Sequence, residues 1–270
     1  MRLPDFIIPG FQKCGTTALR QNLNQHPEID MPKCDDILCN TDQEMNFFVK
    51  HANFHKMPAD EALLWYKSRF KTEAKFCGEK SPNYTLIPEF SAARMHEIVP
   101  NVKLIFSFRN PIDRCYSAYN HYSQAFNDKQ AWISNVNWSP DKSFLWNLEN
   151  KKGIRENTNY AGTLKSYAKF FSPDKTLLII QERLQKPAYE IKSHYKNNEI
   201  INEGQEEYDR IFNFLGASSF KIKNRIVHAR SKKQLSSIER EAAYQILSKE
   251  FEAFFEIYGQ TVPEWKQDLN

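Results

Sequence analysis

The sequence predicts an α/β, P-loop-like three-layer fold, a central parallel sheet flanked by helices. Three observations predict it. Short apolar strand runs alternate with helical runs through the first half of the chain, the pattern of βαβ units. The clearest strand runs, 102–108 and 176–181, are almost continuously apolar, as strands covered on both faces are. The first strand also runs directly into a glycine-bounded loop that opens a helix, through Gly10, Lys13, Cys14, Gly15, Thr16 and Thr17. Composition agrees. A chain of 270 residues that is 41% hydrophobic, 14% aromatic and 26% charged is globular with ample core. Eight glycines and 13 prolines exclude collagen-like or linker-dominated character.

In chain order, 5–9 is a short buried strand and 10–15 a loop. A helix over 16–25 ends at His26-Pro27. Residues 31–58 lack a period and read as a long loop, which inside a compact domain usually serves function. Apolar residues at 62, 63, 66 and 70 mark a helical face over 60–70. A strand at 75–79 enters the loop 80–84, and a helix covers 88–99. After the strand 102–108, Asn110 caps a helix that begins at Pro111 and carries Tyr116, Tyr119 and Tyr122. The polar, weakly periodic stretch at about 124–158 reads as an insertion or lid. A helix over 160–171, the strand 176–181, a helix over 208–215 stopped by Gly216, a basic loop over 218–233 and a helix over 235–258 closed by Gly259 complete the chain. Neither a repeat nor a boundary interrupts it, so a single domain over 1–270 is expected.

Charge and cysteines narrow the function classes. Lys and Arg number 37 against 33 Asp and Glu, a net +4. That is too small a surplus for a general nucleic-acid binder, but it allows a local anion pocket. No apolar run approaches the roughly 20 residues that span a bilayer, and no leader pattern precedes the first strand. Five cysteines (Cys14, Cys34, Cys39, Cys77, Cys115) are an odd number without zinc spacing. They favour a reduced, cytoplasmic protein, with a single Cys34–Cys39 bridge as the alternative.

The loop between the first strand and helix offers backbone N–H groups and the positive end of a helix dipole to an anion. Its two glycines have the spacing of a Walker loop, but Thr16 stands where that loop has lysine, and the lysine has moved to Lys13. The strand 102–108 leads into Arg109 rather than an acid, so the magnesium half of an NTP site is missing and no metal is expected. Arg109 follows the carboxyl end of a parallel strand, where ligands bind and a guanidinium fork can grip phosphate. Ser117, two turns into the next helix, can add a hydroxyl; Arg114 reads as a solvated or salt-bridged helix residue.

Together these motifs resemble the sulfotransferase family that uses 3′-phosphoadenosine 5′-phosphosulfate (PAPS), in particular its heparan sulfate branch and bacterial relatives. The stretch 10–19 followed by His26-Pro27 is similar to that family's 5′-phosphosulfate loop, and 108–114 with Ser117 to its 3′-phosphate motif. Gln43, Glu44, Phe47 and Phe48 resemble the segment carrying a catalytic glutamate. Gly78, Glu79, Lys80, Ser81, Pro82 and Tyr84 resemble the loop supplying an active-site lysine. Tyr160, Leu164, Tyr167 and Phe171 before 177–180 resemble the following helix and strand. Departures are Asn46, where the branch often has histidine, a basic stretch at 221–233 without the usual glycine, and the lack of any cysteine after Cys115.

The resemblance implies sulfuryl transfer from PAPS, leaving 3′-phosphoadenosine 5′-phosphate (PAP), to a hydroxyl or amine. Lys13 would steady the leaving phosphate. Cys14, Gly15, Thr16, Thr17 and Ala18 would hold the 5′-phosphate, and Arg109 and Ser117 the 3′-phosphate, with Arg230 a further cofactor contact. Glu44 would be the general base beside Lys80, with His51 and His55 as rivals. Trp132, Trp138, Trp146, Phe126 and Phe144 make 124–158 aromatic rather than a polyanion track. A small, secondary-metabolite acceptor is therefore expected, with no nucleic-acid or membrane partner and room for a homodimer. A heparan-type glycan enzyme without its membrane anchor is the alternative within the family, and a P-loop nucleotide kinase or NTPase the alternative outside it.

Overall fold

The computed structural model describes residues 1–34, 38–39, 44–49, 56–70, 73–184, 204–223 and 234–268. The elements run β1 (Phe6–Gly10), α1 (Thr16–Leu23), β2 (Ile29–Asp30), α2 (Ala59–Ser68), β3 (Phe76–Lys80), α3 (Pro88–Ile98), β4 (Lys103–Phe108) and α4 (Pro111–Asn127). They continue with α5 (Phe144–Asn150), α6 (Lys152–Arg155), α7 (Tyr160–Tyr167), β5 (Thr176–Ile180), α8 (Gln181–Leu184), α9 (Gln205–Leu215) and α10 (Ser237–Tyr258). The described residues gather into two compact units. One holds Met1–Phe11, Gly15–Phe108 and the described part of 166–229; the other holds Gln12–Cys14, Arg109–Lys165 and the described part of 230–270.

The first unit contains the whole sheet, five parallel strands in the order β2-β3-β1-β4-β5, flanked by helices. From β1 the chain builds β2 and β3 on one side, then crosses to β4 on the other. The direction therefore switches between β1 and β4, where open α/β sheets bind ligands beyond the strands' carboxyl ends. All five residues of β1 are buried, as a central parallel strand requires. Pro9 cannot donate to a ladder, and it falls where the β1–β4 register shifts between Ile7 and Gly10. Gly78 faces Phe6 across the β1–β3 pair. A Cβ there would sit 2.4 Å from the Phe6 ring, so that strand contact needs glycine.

Alternation along the strands sorts the core onto two faces. Phe6, Ile8, Ile105 and Ile179 pack with Leu19 and Leu23 of α1 and with Tyr208, Ile211, Phe212 and Leu215 of α9. Those four α9 residues form one helical stripe, and Gly216 ends the helix at φ 87. Elsewhere in the unit the core is aromatic. Phe106 meets Phe11 at 6.1 Å and Tyr167 at 5.0 Å between centroids, and Phe48 meets Tyr84 at 5.5 Å. At the sheet edge the Ile180 N–H donates to Glu207 Oε1 at 3.2 Å, and Arg210 Nη2 donates to the Leu178 carbonyl at 3.3 Å. Glu207 and Arg210 pair with each other at 2.7 Å.

In the second unit α10 packs against α4 and α5. Ser236 and Glu239 form the capping box that starts α10. Arg240 grips Asp268 with Nη1 at 2.7 Å and reaches Asp113 with Nη2, while Asn110 Nδ2 donates to Asp268 at 2.6 Å. The Asn110 side chain also caps α4, accepting from Ile112 N at 3.0 Å. The stretch expected as an insertion or lid resolves into short helical pieces: the end of α4, a 3₁₀ turn over Ala131–Asn135, then α5 and α6. Tyr116 packs on Phe144 and Tyr122 on Trp138, while Phe126, Trp132 and Trp146 keep exposed surface.

Several sequence expectations change. Strand β2 has two residues, too few to show a period. Helix α7 stops at Tyr167 rather than 171, and α9 begins at Gln205 rather than 208. Cys34 and Cys39 form a disulfide with Cα atoms 6.0 Å apart, which replaces the expected set of reduced thiols by the alternative pairing. Cys14, Cys77 and Cys115 are buried outside it. Among the described residues, no helix is long and apolar enough to cross a membrane.

Candidate active site

In the first unit, β1 leads toward α1 through a turn whose last residue, Gly15, is the N-cap at φ 74. No side chain caps this helix and its first turn carries no acid, so the amides of Thr16, Thr17 and Ala18 open the helix without a competing carboxylate. A Cβ on Gly15 would sit 2.8 Å from Gln181 Cγ at the start of α8. Gly15→Ala is therefore expected to cost about 1–2 kcal/mol, the usual penalty of the left-handed region. Urea unfolding checks this, and a cost near zero would show that the turn relaxes.

Two carboxylates lie close to the carboxyl end of β3. Lys80 Nζ donates to Glu44 Oε1 at 2.6 Å, with the lysine 2% and the glutamate 19% exposed. A buried ammonium held by one partly exposed carboxylate leaves that carboxylate a face toward solvent, where a substrate proton could be taken. Glu79 is the second. It is 2% exposed and accepts from Tyr66 Oη at 2.6 Å, Ser81 Oγ at 2.8 Å and Tyr84 Oη at 2.9 Å. Burial pushes its carboxyl above the usual range, the three hydroxyls pull it down, and the Glu44 charge adds to the rise. Burial, then the Glu79 charge, holds the Tyr66 and Tyr84 phenols well above theirs. Ser81 Oγ in turn accepts the Asn46 N–H at 3.0 Å, and Tyr84 Oη accepts the Phe47 N–H at 2.9 Å.

In the second unit, Lys13 stands at φ 68 in the three-residue segment Gln12–Cys14. Arg109 Nη1 donates to the Lys13 carbonyl at 3.4 Å, and Arg114 Nε to the Gln12 carbonyl at 3.3 Å. Asn157 Nδ2 donates to Gln12 Oε1 at 3.2 Å. Cys14 Sγ lies 3.5 Å from Tyr160 Oη, which donates to the Arg109 carbonyl at 2.9 Å. Helix α4 thus contributes Arg114, and its N-terminal approach Arg109, to a frame around the Lys13 backbone. Ser117 is half-buried on α4.

The structure therefore brings Glu44 to Lys80 and Arg109 to Lys13. Arg230, the rival bases His51 and His55, and Gln43 of the glutamate segment lie outside the described residues. Arg114 corrects its sequence reading. It is fully buried, and its guanidinium serves the carbonyls of Ile154 and Gln12 and Thr158 Oγ1 instead of solvent or an acid. Sequence reasoning also missed the hub at Glu79 and the packing of Gln181 on Gly15. An acid inside a buried strand is a rare composition and was the one available pointer to the hub. Among the described residues, no three His, Cys, Asp or Glu side chains cluster as metal ligands do.

The Sulfotransferase domain family matches residues 3–196. The bifunctional heparan sulfate N-deacetylase/N-sulfotransferase 1 of Homo sapiens is 36% identical over 126 residues, covering 44% of this chain and 13% of that protein. The type 4 enzyme of Mus musculus is 37% identical over 125 residues, with the same coverage of 44% and 13%. The chain thus spans only a small part of these curated relatives. A sulfotransferase crystal structure from Alicyclobacillus acidocaldarius shares the fold, with a TM-score of 0.70 and 21% identity over 98% of this chain and 100% of that one. With the match running through both motif-bearing strand ends, from residue 3 to residue 196, the chain belongs to the Sulfotransferase domain family.

Proposed function

We propose that this protein transfers the sulfuryl group of PAPS to a hydroxyl or amine, releasing PAP. The observation that carries the reading is the turn between β1 and α1, with an uncapped, acid-free helix start at Gly15 and a lysine inside the turn. Amides of Thr16, Thr17 and Ala18, with Cys14 and Gly15, would take the 5′-phosphate. Arg109 and Ser117 would take the 3′-phosphate, with Arg230 a further contact. In the step itself the acceptor lone pair forms the new bond to sulfur, the bond from sulfur to the 5′-phosphate oxygen breaks, and its electron pair leaves on PAP. Lys13 neutralises that oxygen. Glu44 takes the acceptor proton, and Lys80 holds Glu44 in place through the bond at 2.6 Å.

The acceptor we favour is a small molecule, with no nucleic-acid or membrane partner. The exposed rings of Phe126 and Trp132 favour a compact acceptor over a long polyanion. A second reading, a heparan-type glycan amine, draws on the names of the curated relatives. Radiolabelled PAPS offered with N-deacetylated heparosan and with a panel of small alcohols and amines separates the two.

The donor is tested by binding. PAP at about 100 times its Kd should stabilise the fold by about 2.7 kcal/mol, whereas ADP and ATP–Mg²⁺ should do much less. A P-loop kinase or NTPase would reverse that order. Arg109→Ala should weaken PAP by roughly 10- to 100-fold and ADP by clearly less, because both lose the bond that holds the Lys13 carbonyl but only PAP loses charge-assisted bonds to a 3′-phosphate. Calorimetric titration checks this, and equal losses for both nucleotides would remove Arg109 from that role.

A further inference from the structure

We infer that Glu79 is a positioning residue: through the hydroxyls of Ser81 and Tyr84 it holds the backbone of Asn46 and Phe47, and so sets Glu44 against Lys80. The inference deepens the proposed reaction and rests on Glu44 as its base.

The geometry is a relay with every hydrogen assigned. An ionised carboxylate only accepts, and a hydroxyl has one hydrogen to give. Glu79 draws the hydrogens of Ser81, Tyr84 and Tyr66 into itself at 2.8, 2.9 and 2.6 Å. The lone pairs of Ser81 and Tyr84 are thereby presented to the N–H groups of Asn46 and Phe47 at 3.0 and 2.9 Å. Tyr66 reaches the same segment with its ring, stacked on Phe47 at 4.2 Å and 7° and edge-on to Phe48 at 5.4 Å. All three donors to Glu79 therefore touch residues 46–48.

The segment has need of such a hold. Asn46 adopts φ 50, in the left-handed region, which asparagine enters more readily than other non-glycine residues but still at a cost that local contacts offset. It sits two residues after Glu44. An acid buried in a central strand is costly, and a core without this task would use an apolar residue there. Glutamine is the discriminating substitution. Its amide offers one oxygen and one NH₂ group, so either Ser81, which donates to one Glu79 oxygen, or Tyr66 and Tyr84, which share the other, loses its acceptor and its orientation.

The experiment uses Glu79→Gln in the full chain. It reads amide hydrogen exchange at Asn46 and Phe47, calorimetric PAP affinity, and PAP released from PAPS with water as acceptor. We expect exchange to quicken at Asn46 or at Phe47, according to which hydroxyl the new NH₂ group faces, and PAP release to fall, each on the order of tenfold, the worth of about one hydrogen bond, with PAP affinity retained. Unchanged exchange at those amides overturns the inference. So does a parallel loss of PAP affinity and PAP release, which would mark a general loosening. Should Glu79→Gln not fold, Glu79→Asp serves instead, since it keeps the charge but draws the carboxylate back by one methylene. Faster exchange at Asn46 or Phe47 in that variant supports the relay, and unchanged exchange at both overturns it. Glu44→Gln tests the underlying reading separately. If that variant releases PAP normally, Glu44 is not the base, and the exchange result still decides the role of Glu79.

Discussion

Lys13→Ala is expected to lower kcat by on the order of 10²-fold or more, the scale of losing one preorganised charge-stabilising donor. The proposed step places an electron pair on the 5′-phosphate oxygen of PAP, and a single ammonium in the turn is the group assigned to it. Lys13 is also held in place before any substrate arrives. Its carbonyl is fixed by Arg109, and its neighbour Gln12 by Arg114 and Asn157. The backbone already stands at φ 68. Truncation should therefore remove the charge without moving the frame, and PAP affinity should fall far less than turnover. Lys13→Met keeps the stem and should be nearly as slow. Single-turnover transfer from labelled PAPS measures the chemical step directly. A normal rate in either variant would take Lys13 out of the reaction.

The largest stability effect is expected at Arg114. Its fully buried guanidinium donates to the carbonyls of Ile154 and Gln12 and to Thr158 Oγ1, and it lies beside Cys115. Arg114→Ala removes these donors at once and leaves a cavity. Both effects act in the same direction, and together they should cost about 4 kcal/mol. For a chain of this size that is a fall in Tm on the order of 10 °C. Arg114→Met should lose less, because it fills much of the volume and no longer pays to desolvate a charge. Scanning calorimetry of the three proteins tests this order, and a Tm unchanged in Arg114→Ala would mean that water replaces the guanidinium.

What was legible in the sequence depended on whether local pattern or distant contact decides a residue's place. Strands β1, β4 and β5 were readable because each carries a nearly continuous apolar run, which burial on both faces explains for β1 and β4. Strand β2 was not, since two residues have no period. The glycine-bounded turn and Asn110 announced themselves because caps act on the next few amides. Glu44 and Lys80 lie 36 residues apart in sequence, and only the tertiary fold joins them. Arg114 looked like any helical arginine, because the carbonyls it serves come from residues 12 and 154. Glu79 stood inside a recognised motif, yet its partners at 66, 81 and 84 were invisible to spacing. The stretch 124–158 looked irregular because its helices are too short to show a stripe. The two compact units left no linear boundary, since residues 12–14 of one interrupt the other.

The bonds from Glu207 and Arg210 to the outer side of β5 bear on how this molecule meets its own kind. The Leu178 carbonyl and the Ile180 N–H are two of the groups an incoming strand would seek, and both are already engaged by side chains of α9. At the opposite border β2 offers a template of only two residues. Among the described residues neither margin offers a long, fully open strand, so crowding in a cell or a concentrated solution should seed little ribbon-like growth from the native state.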